Sequence, residues 1–387
     1  MKPEVRFPTG LMRKDVHLGN WRETPYSAWS FQNVNELVPS AVIHGTGGNE
    51  GAPGGADHFA HLMVEAPGQG RCELGQFLQQ THTDSMIVMR RGEIIFEWYS
   101  PTTDAAKPHI IYSISKSLTG LLAGILVGQG AIDPDDRVTR YLPEAAGSAY
   151  GDASLRNLLD MQISLDFNED YLDKTGKFDA YRRATGWNPQ VPGSQPQGLG
   201  GFLCSLGKGP VGHGEVHAYR SPNTDMCGMV LERAGGARLH ELLQELLWKP
   251  MGAHSDAFVT VDREGVARAA GGISVTARDM ARVGELVRLD GAGVVPADWI
   301  RDLWKGGNRA IWSEGDQAAH FPGGSYRSYW YETGKGELAA IGIHGQWIWV
   351  DPQSETVIAK QSCQPEPTND PLDQAITAML RAVSRSE

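Results

Sequence analysis

The sequence predicts an α/β fold of the α+β kind, with an antiparallel sheet built from both chain ends, flanked by helices, and an inserted helical part. Three observations predict it. Two strand-like runs occur at 84–100, helical periodicity dominates the middle of the chain, and a second set of strand-like runs near the end is followed by one amphipathic helix.

Residues 1–83 are rich in Gly and Pro, show no sustained periodicity, and read as an N-terminal extension packed on the domain. Ser85–Met89 and Glu93–Tyr99 flank Arg90-Arg91-Gly92, which fits two strands around a Gly-containing turn. From Ser113, the residues Leu118, Leu121, Leu122, Ile125 and Leu126 recur at helical spacing, and Gly128 and Gly130 supply a stop. Further helices are expected over 154–161, 225–234 and 239–247, with a long Gly- and Pro-containing loop over roughly 165–218. A loop of that length inside a compact domain is usually functional. A helix over 276–289 precedes strands at 325–333, 337–344, 346–350 and 356–362. Leu372, Ile376, Met379, Leu380 and Val383 then make the apolar face of a closing helix. The expected division is a sheet-containing part over 84–130 and 261–387, and a mostly helical part with the long loop over 131–260.

Composition narrows the function. A chain of 387 residues can bury a large core without staples. Its net charge of −11 and the lack of a basic run argue against nucleic acid as a partner. No apolar run is long enough to span a membrane, and 1–20 lacks the apolar centre of a signal peptide. Cys72, Cys204, Cys227 and Cys363 form no C-x-x-C pair. The expectation is a cytoplasmic monomer or homodimer with reduced thiols, no cofactor and no metal, acting on a small molecule. His58 with His61, and His82 with Asp84, lack a third ligand and read as solvated loop residues.

The sharpest chemical feature is Ser113-Ile114-Ser115-Lys116. A serine hydroxyl is a weak nucleophile and needs a base. Three residues is almost one helical turn, so Ser113 and Lys116 share a face. A lysine buried at the head of an apolar helix has its pKa lowered, and the neutral amine can accept the serine proton. The bland alternative is a helix cap at Ser113 and a solvated Lys116. A second S-x-x-K match, Ser205 to Lys208, lies among glycines with no helix to fix its spacing.

The surrounding text resembles the β-lactamase and penicillin-binding-protein superfamily of serine hydrolases, from about residue 84 to the C-terminus. The resemblance is carried by the S-x-x-K tetrapeptide, Val138 to Glu144, Leu158 to Met161, Lys249-Pro250-Met251-Gly252 and Gly271 to Asp279. Within the superfamily, residues 160–171, Gly186-Trp187, Asn223-Thr224-Asp225 and His344-Gly345 are similar to 6-aminohexanoate-dimer hydrolases and related carboxylesterases.

The resemblance implies a β-lactamase/transpeptidase-like fold and an acyl-enzyme on Ser113, with Lys116 as base. Its second motif falls on Tyr219-Arg220-Ser221, which implies Tyr219 as a proton shuttle and places Ser221 at the substrate. The third motif, normally Lys-Thr-Gly, is replaced by Ile343-His344-Gly345, which implies an oxyanion donor at Ile343 or a neighbour and no lysine to grip a β-lactam carboxylate. Trp187 is expected either as a lid over the pocket or as a surface-packed tryptophan. Lys174, Lys177, Arg182 and Arg183 precede it and weigh against a linear amide bearing a free amine. The expected activity is therefore a serine carboxylesterase or amidase. The alternatives are a β-lactamase or D-alanyl carboxypeptidase, and an idle binding protein of the same fold.

Overall fold

The computed structural model describes residues 10–48, 57–66 and 70–386. Six strands precede the first long helix: β1 Ser40–Ile43, β2 Met63–Ala66, β3 Gly70–Glu73, β4 Thr83–Arg90, β5 Glu93–Tyr99 and β6 His109–Ile110. β7 Ala257–Thr260 and β8 Ile273–Val275 follow the helical part. β9 Ser325–Arg327, β10 Trp330–Glu332, β11 Leu338–Gly342, β12 Gln346–Asp351 and β13 Thr356–Ser362 complete the set.

The main sheet has the order β5-β4-β13-β12-β11-β10-β9 with every neighbour antiparallel, so residues 83–99 and 325–362 build it together. β12 and β13 are buried along their whole length, and β4 nearly so, which is why they read as continuous apolar runs rather than alternations. The helix Ala277–Arg288 packs on β13, β12 and β4, and the C-terminal helix Asp370–Ser384 packs beside β13. The expected α+β architecture stands.

The helix Ile114–Gly128 is central: every residue from Ile114 to Leu126 is buried. Each fully buried leucine there contributes about 1.5–3 kcal/mol. Gly120 allows the closest approach, since a Cβ at that position would lie 2.3 Å from the Ser328 carbonyl oxygen. No helix among the described residues is long and apolar enough to cross a membrane.

Several local expectations are corrected. The run 325–333 is a hairpin, β9 and β10, turning through Ser328 and Tyr329 at φ 48° and 67°. The long loop carries two short helices, Lys177–Ala184 and Leu199–Cys204. Helices Ala297–Lys305 and Arg309–Ser313 were not expected. The N-terminal region also contributes to the fold: β1 pairs with β7 in a second sheet of order β1-β7-β8-β6. Val16, Trp21, Phe31, Val34 and Val38 form a small apolar cluster with Ile110, Tyr112 and Trp187. That cluster backs the residue just before Ser113.

Candidate active site

Ser113 stands at the head of the helix Ile114–Gly128 but makes no side-chain capping bond. Its Oγ accepts instead from Lys116 Nζ at 2.8 Å. The backbone enters the helix through Tyr112 at φ 44°, the left-handed region that costs a bulky residue about 1–3 kcal/mol. The Tyr112 ring holds this turn in place, lodged against Trp21, Phe31, Trp187 and His344.

Lys116 is buried, and its Nζ also donates to the Ala270 carbonyl at 2.7 Å. Burial pulls its pKa down to about 7; Glu169 and Asp225 oppose the fall and Arg268 adds to it. Ala270 is itself fixed, because its N–H donates to Asp225 Oδ1 at 2.8 Å. Asp225 is buried and also receives Tyr181 and Arg268. Asp225 is thus a positioning residue that sets the carbonyl on which Lys116 rests.

Tyr219 comes from the segment before the helix Ser221–Gly235. Lys116 Nζ lies 5.0 Å from its ring centroid. Ser113 and Tyr331 act on its hydroxyl, each favouring the ionised form. Burial raises its pKa strongly and the Glu169 charge raises it further, so the phenol stays protonated near neutrality. Asp316 holds this backbone, accepting from the Tyr219 N–H at 3.0 Å and from Arg220 at 2.6 Å.

The third-motif residues meet the site from β11. Gly342 abuts the segment leading to Ser113, since a Cβ there would lie 2.5 Å from the Ile111 carbonyl oxygen. Ile343 is half-buried beside it. His344 spends its N–H on the Pro367 carbonyl at 2.9 Å and its ring Nδ1 on the Gln364 carbonyl at 2.7 Å. Burial lowers its pKa to about 4, so it carries no charge in place of the missing lysine. Gly345 sits in the turn at φ 86°. Lys360 does not replace the lysine either, as it is buried with its Nζ on the Gly345 carbonyl and the Ser362 hydroxyl.

Two residues sit differently from expectation. Trp187 is no solvent-facing lid: it is 4% exposed, donates Nε1–H to Thr260 Oγ1 at 3.1 Å, and packs on Trp21 and Tyr112. Ser221 is occupied, because its N–H and its Oγ, the latter at 2.6 Å, both donate to Glu169. Glu169 was missed from sequence. It also accepts from Tyr171 Oη at 3.0 Å, and it lines a cleft of about 960 Å³ with Tyr171, Asp316, His320, Trp347 and Asp373. The only sequence signal for it was its place in the 160–171 segment.

The other candidates fall away. Ser205 donates to Phe202 and Lys208 pairs with Asp152, so the second S-x-x-K makes no dyad. His61 pairs with Glu73 at 3.1 Å, Asp84 binds His109 and Cys363, and the His58 side chain lies outside the described residues. Among the described residues no group of three or more side chains could hold a metal ion.

Comparison with known proteins fits this geometry. The β-lactamase family model matches residues 71–382. A 6-aminohexanoate-dimer hydrolase of Paenarthrobacter ureafaciens is 37% identical over 390 residues, covering 99% of this chain and 96% of the relative. A solved structure from Bacillus anthracis, provisionally assigned as a 6-aminohexanoate-dimer hydrolase, has a TM-score of 0.86 at 22% identity and covers 96% of this chain and 97% of that one. A family VIII carboxylesterase has a TM-score of 0.58 at 15% identity, covering 80% and 95%. The two structures establish the shared fold, and the family match with the full-length relative establishes descent: the chain belongs to the β-lactamase family.

Proposed function

We propose that the protein cleaves small carboxylic esters and linear amides through an acyl-enzyme on Ser113. The observation that carries this reading is the 2.8 Å contact between Ser113 Oγ and a buried Lys116 whose pKa lies near 7. Neutral Lys116 takes the Ser113 proton as Oγ bonds to the substrate carbonyl carbon. The backbone N–H groups of Ser113 and Ile343 face the developing oxyanion. Tyr219 passes a proton to the departing oxygen or nitrogen as the bond to it breaks. Water, activated by the same groups, then releases the acid. The sheet-containing part supplies Ser113, Lys116 and Ile343, and the helical part supplies Tyr219 and Glu169. The 6-aminohexanoate-dimer hydrolase relative favours linear amides among the substrates. The four free cysteines are consistent with a reducing, cytoplasmic setting.

A fluorophosphonate probe followed by intact-mass and peptide mass spectrometry should place a single adduct on Ser113. An adduct on Ser115, Ser117 or Ser205, or none, would overturn the assignment.

Substrate class gives a second expected result. With His344 neutral and Lys360 turned into the interior, the third-motif strand offers no fixed charge for a β-lactam carboxylate. Short esters need only the nucleophile and the oxyanion donors. On one preparation, kcat/KM for p-nitrophenyl butyrate should exceed that for nitrocefin; the reverse order would promote the β-lactamase alternative.

A further inference from the structure

A cavity of about 300 Å³, lined in part by His344, shares Tyr171, Leu172 and Pro367 with the cleft that Glu169 lines. Arg22, Arg182 and the exposed Lys174 line it. Two guanidinium groups face one small space beside a hydrolytic site, and among the described residues neither makes an ion pair.

The carboxylates lining this space are already engaged. Asp179 binds Arg183 and the Asn188 amide. Asp173 accepts from the N–H groups of Thr175 at 2.9 Å and Gly176 at 2.7 Å. Glu23 lies out in solvent, 3.8 Å from Lys174. Nearby Glu169 is taken up by Ser221 and Tyr171. Arg22 donates only to neutral acceptors, the Trp187 carbonyl at 3.2 Å and Asn188 Oδ1. It is held against the Trp21 ring, 4.8 Å from the centroid, and Arg182 lies over Phe178. Burial and the Arg182 charge pull the Arg22 pKa down to about 9 although Glu23 opposes the fall, and burial lowers that of Arg182 against the Glu169 charge. Two like charges held in this way are costly unless something anionic joins them.

We propose that Arg22 and Arg182 form a carboxylate-binding subsite, and that the preferred substrates carry a terminal carboxylate on one of the two halves joined by the scissile bond. A guanidinium fork matches a carboxylate in plane and with two bonds. The cleft that Glu169 lines would repel that group, since Asp316, Glu366, Asp370 and Asp373 line it too and its one arginine, Arg381, is paired with Glu337. Charge is thus sorted to opposite sides of Tyr171, which gives the substrate a direction. Of the four basic residues before Trp187, Lys177 and Arg183 are paired with Asp166 and Asp179, and Lys174 lies near Glu23. Arg182 alone is left for a ligand.

The inference rests on the Ser113 hydrolase reading for the role of the subsite, but binding tests it separately. With wild type, kcat/KM would be compared for p-nitrophenyl butyrate, mono-p-nitrophenyl glutarate and adipate, and 4-(butyryloxy)benzoate. At least one carboxylated ester should exceed the neutral one about tenfold, the scale of a charged hydrogen bond. That ratio should collapse toward one in Arg182→Gln and in Arg22→Gln, and invert in Arg182→Glu. Calorimetric titration of free glutarate and adipate should detect binding to wild type that is lost in both Gln variants, with melting temperatures confirming that they fold. A neutral preference in wild type, or a carboxylate preference that survives both substitutions, overturns the subsite. If no ester is hydrolysed and Ser113 resists labelling, the hydrolase reading fails, and the dicarboxylate titration alone decides whether the anion site exists.

Discussion

Lys116→Ala should lower kcat/KM for p-nitrophenyl butyrate by about 10²–10⁴, the range for losing general-base help. The reason is positional as well as chemical, because the Ala270 carbonyl and Ser113 Oγ fix Nζ between them. Lys116→Arg should be as slow as Lys116→Ala, since a guanidinium stays protonated and cannot accept the serine proton. That pairing separates a base from a mere positive charge. The pH profile gives an independent check. With a pKa of about 7, Lys116 is an ammonium in acid and cannot act as base, so the wild-type rate should rise with pH through about 7 and then level. The rising limb should disappear in Lys116→Ala. A Lys116→Arg variant with wild-type activity, or a wild-type profile flat from acid to neutral pH, would remove Lys116 as the base.

Tyr219→Phe should slow turnover by a comparable factor, about 10²–10⁴, with little change in melting temperature. The substitution keeps the ring beneath Lys116 and removes only the hydroxyl, on which Ser113 and Tyr331 act electrostatically. Magnitude decides the division of labour between the two residues. Lys116 sits near 7, whereas burial and Glu169 push Tyr219 well above its ordinary value, so the phenolate is scarce where the amine is plentiful. Tyr219 therefore relays a proton as a neutral hydroxyl and is not a standing base. The acid limb of the pH profile should accordingly persist in Tyr219→Phe. Unchanged kcat in that variant would take Tyr219 out of the mechanism.

Much of this site was legible from local text. Helical spacing alone places Lys116 one turn from Ser113, and the apolar residues after it imply the burial that lowers its pKa. Tyr219 needed the family resemblance, because nothing in the text near residue 219 points toward residue 113. Glu169, Arg22 and Asp225 could not be assigned to the site by chemistry from sequence. Their roles depend on which charges neutralise which, and that is settled by packing. The four basic residues before Trp187 illustrate the limit: as a string they look equivalent, yet in space three lie beside carboxylates, while Arg182, among the described residues, makes no ion pair.

The sequence by itself determined the fold class, the mixing of both chain ends in one sheet, and the Ser113–Lys116 pair. The first two follow from short-range periodicity, which acts over a turn or a strand and survives without knowledge of partners, whereas for Ser113 and Lys116 the spacing left a helix cap open and the family resemblance favoured the pair. The tertiary structure alone decided that 325–333 folds back as a hairpin, that Trp187 is buried, that Ser221 is committed to Glu169, and that Arg22 and Arg182 line one cavity. Those outcomes depend on contacts between segments far apart in the chain, where desolvation and charge pairing, which no local pattern encodes, choose the partner.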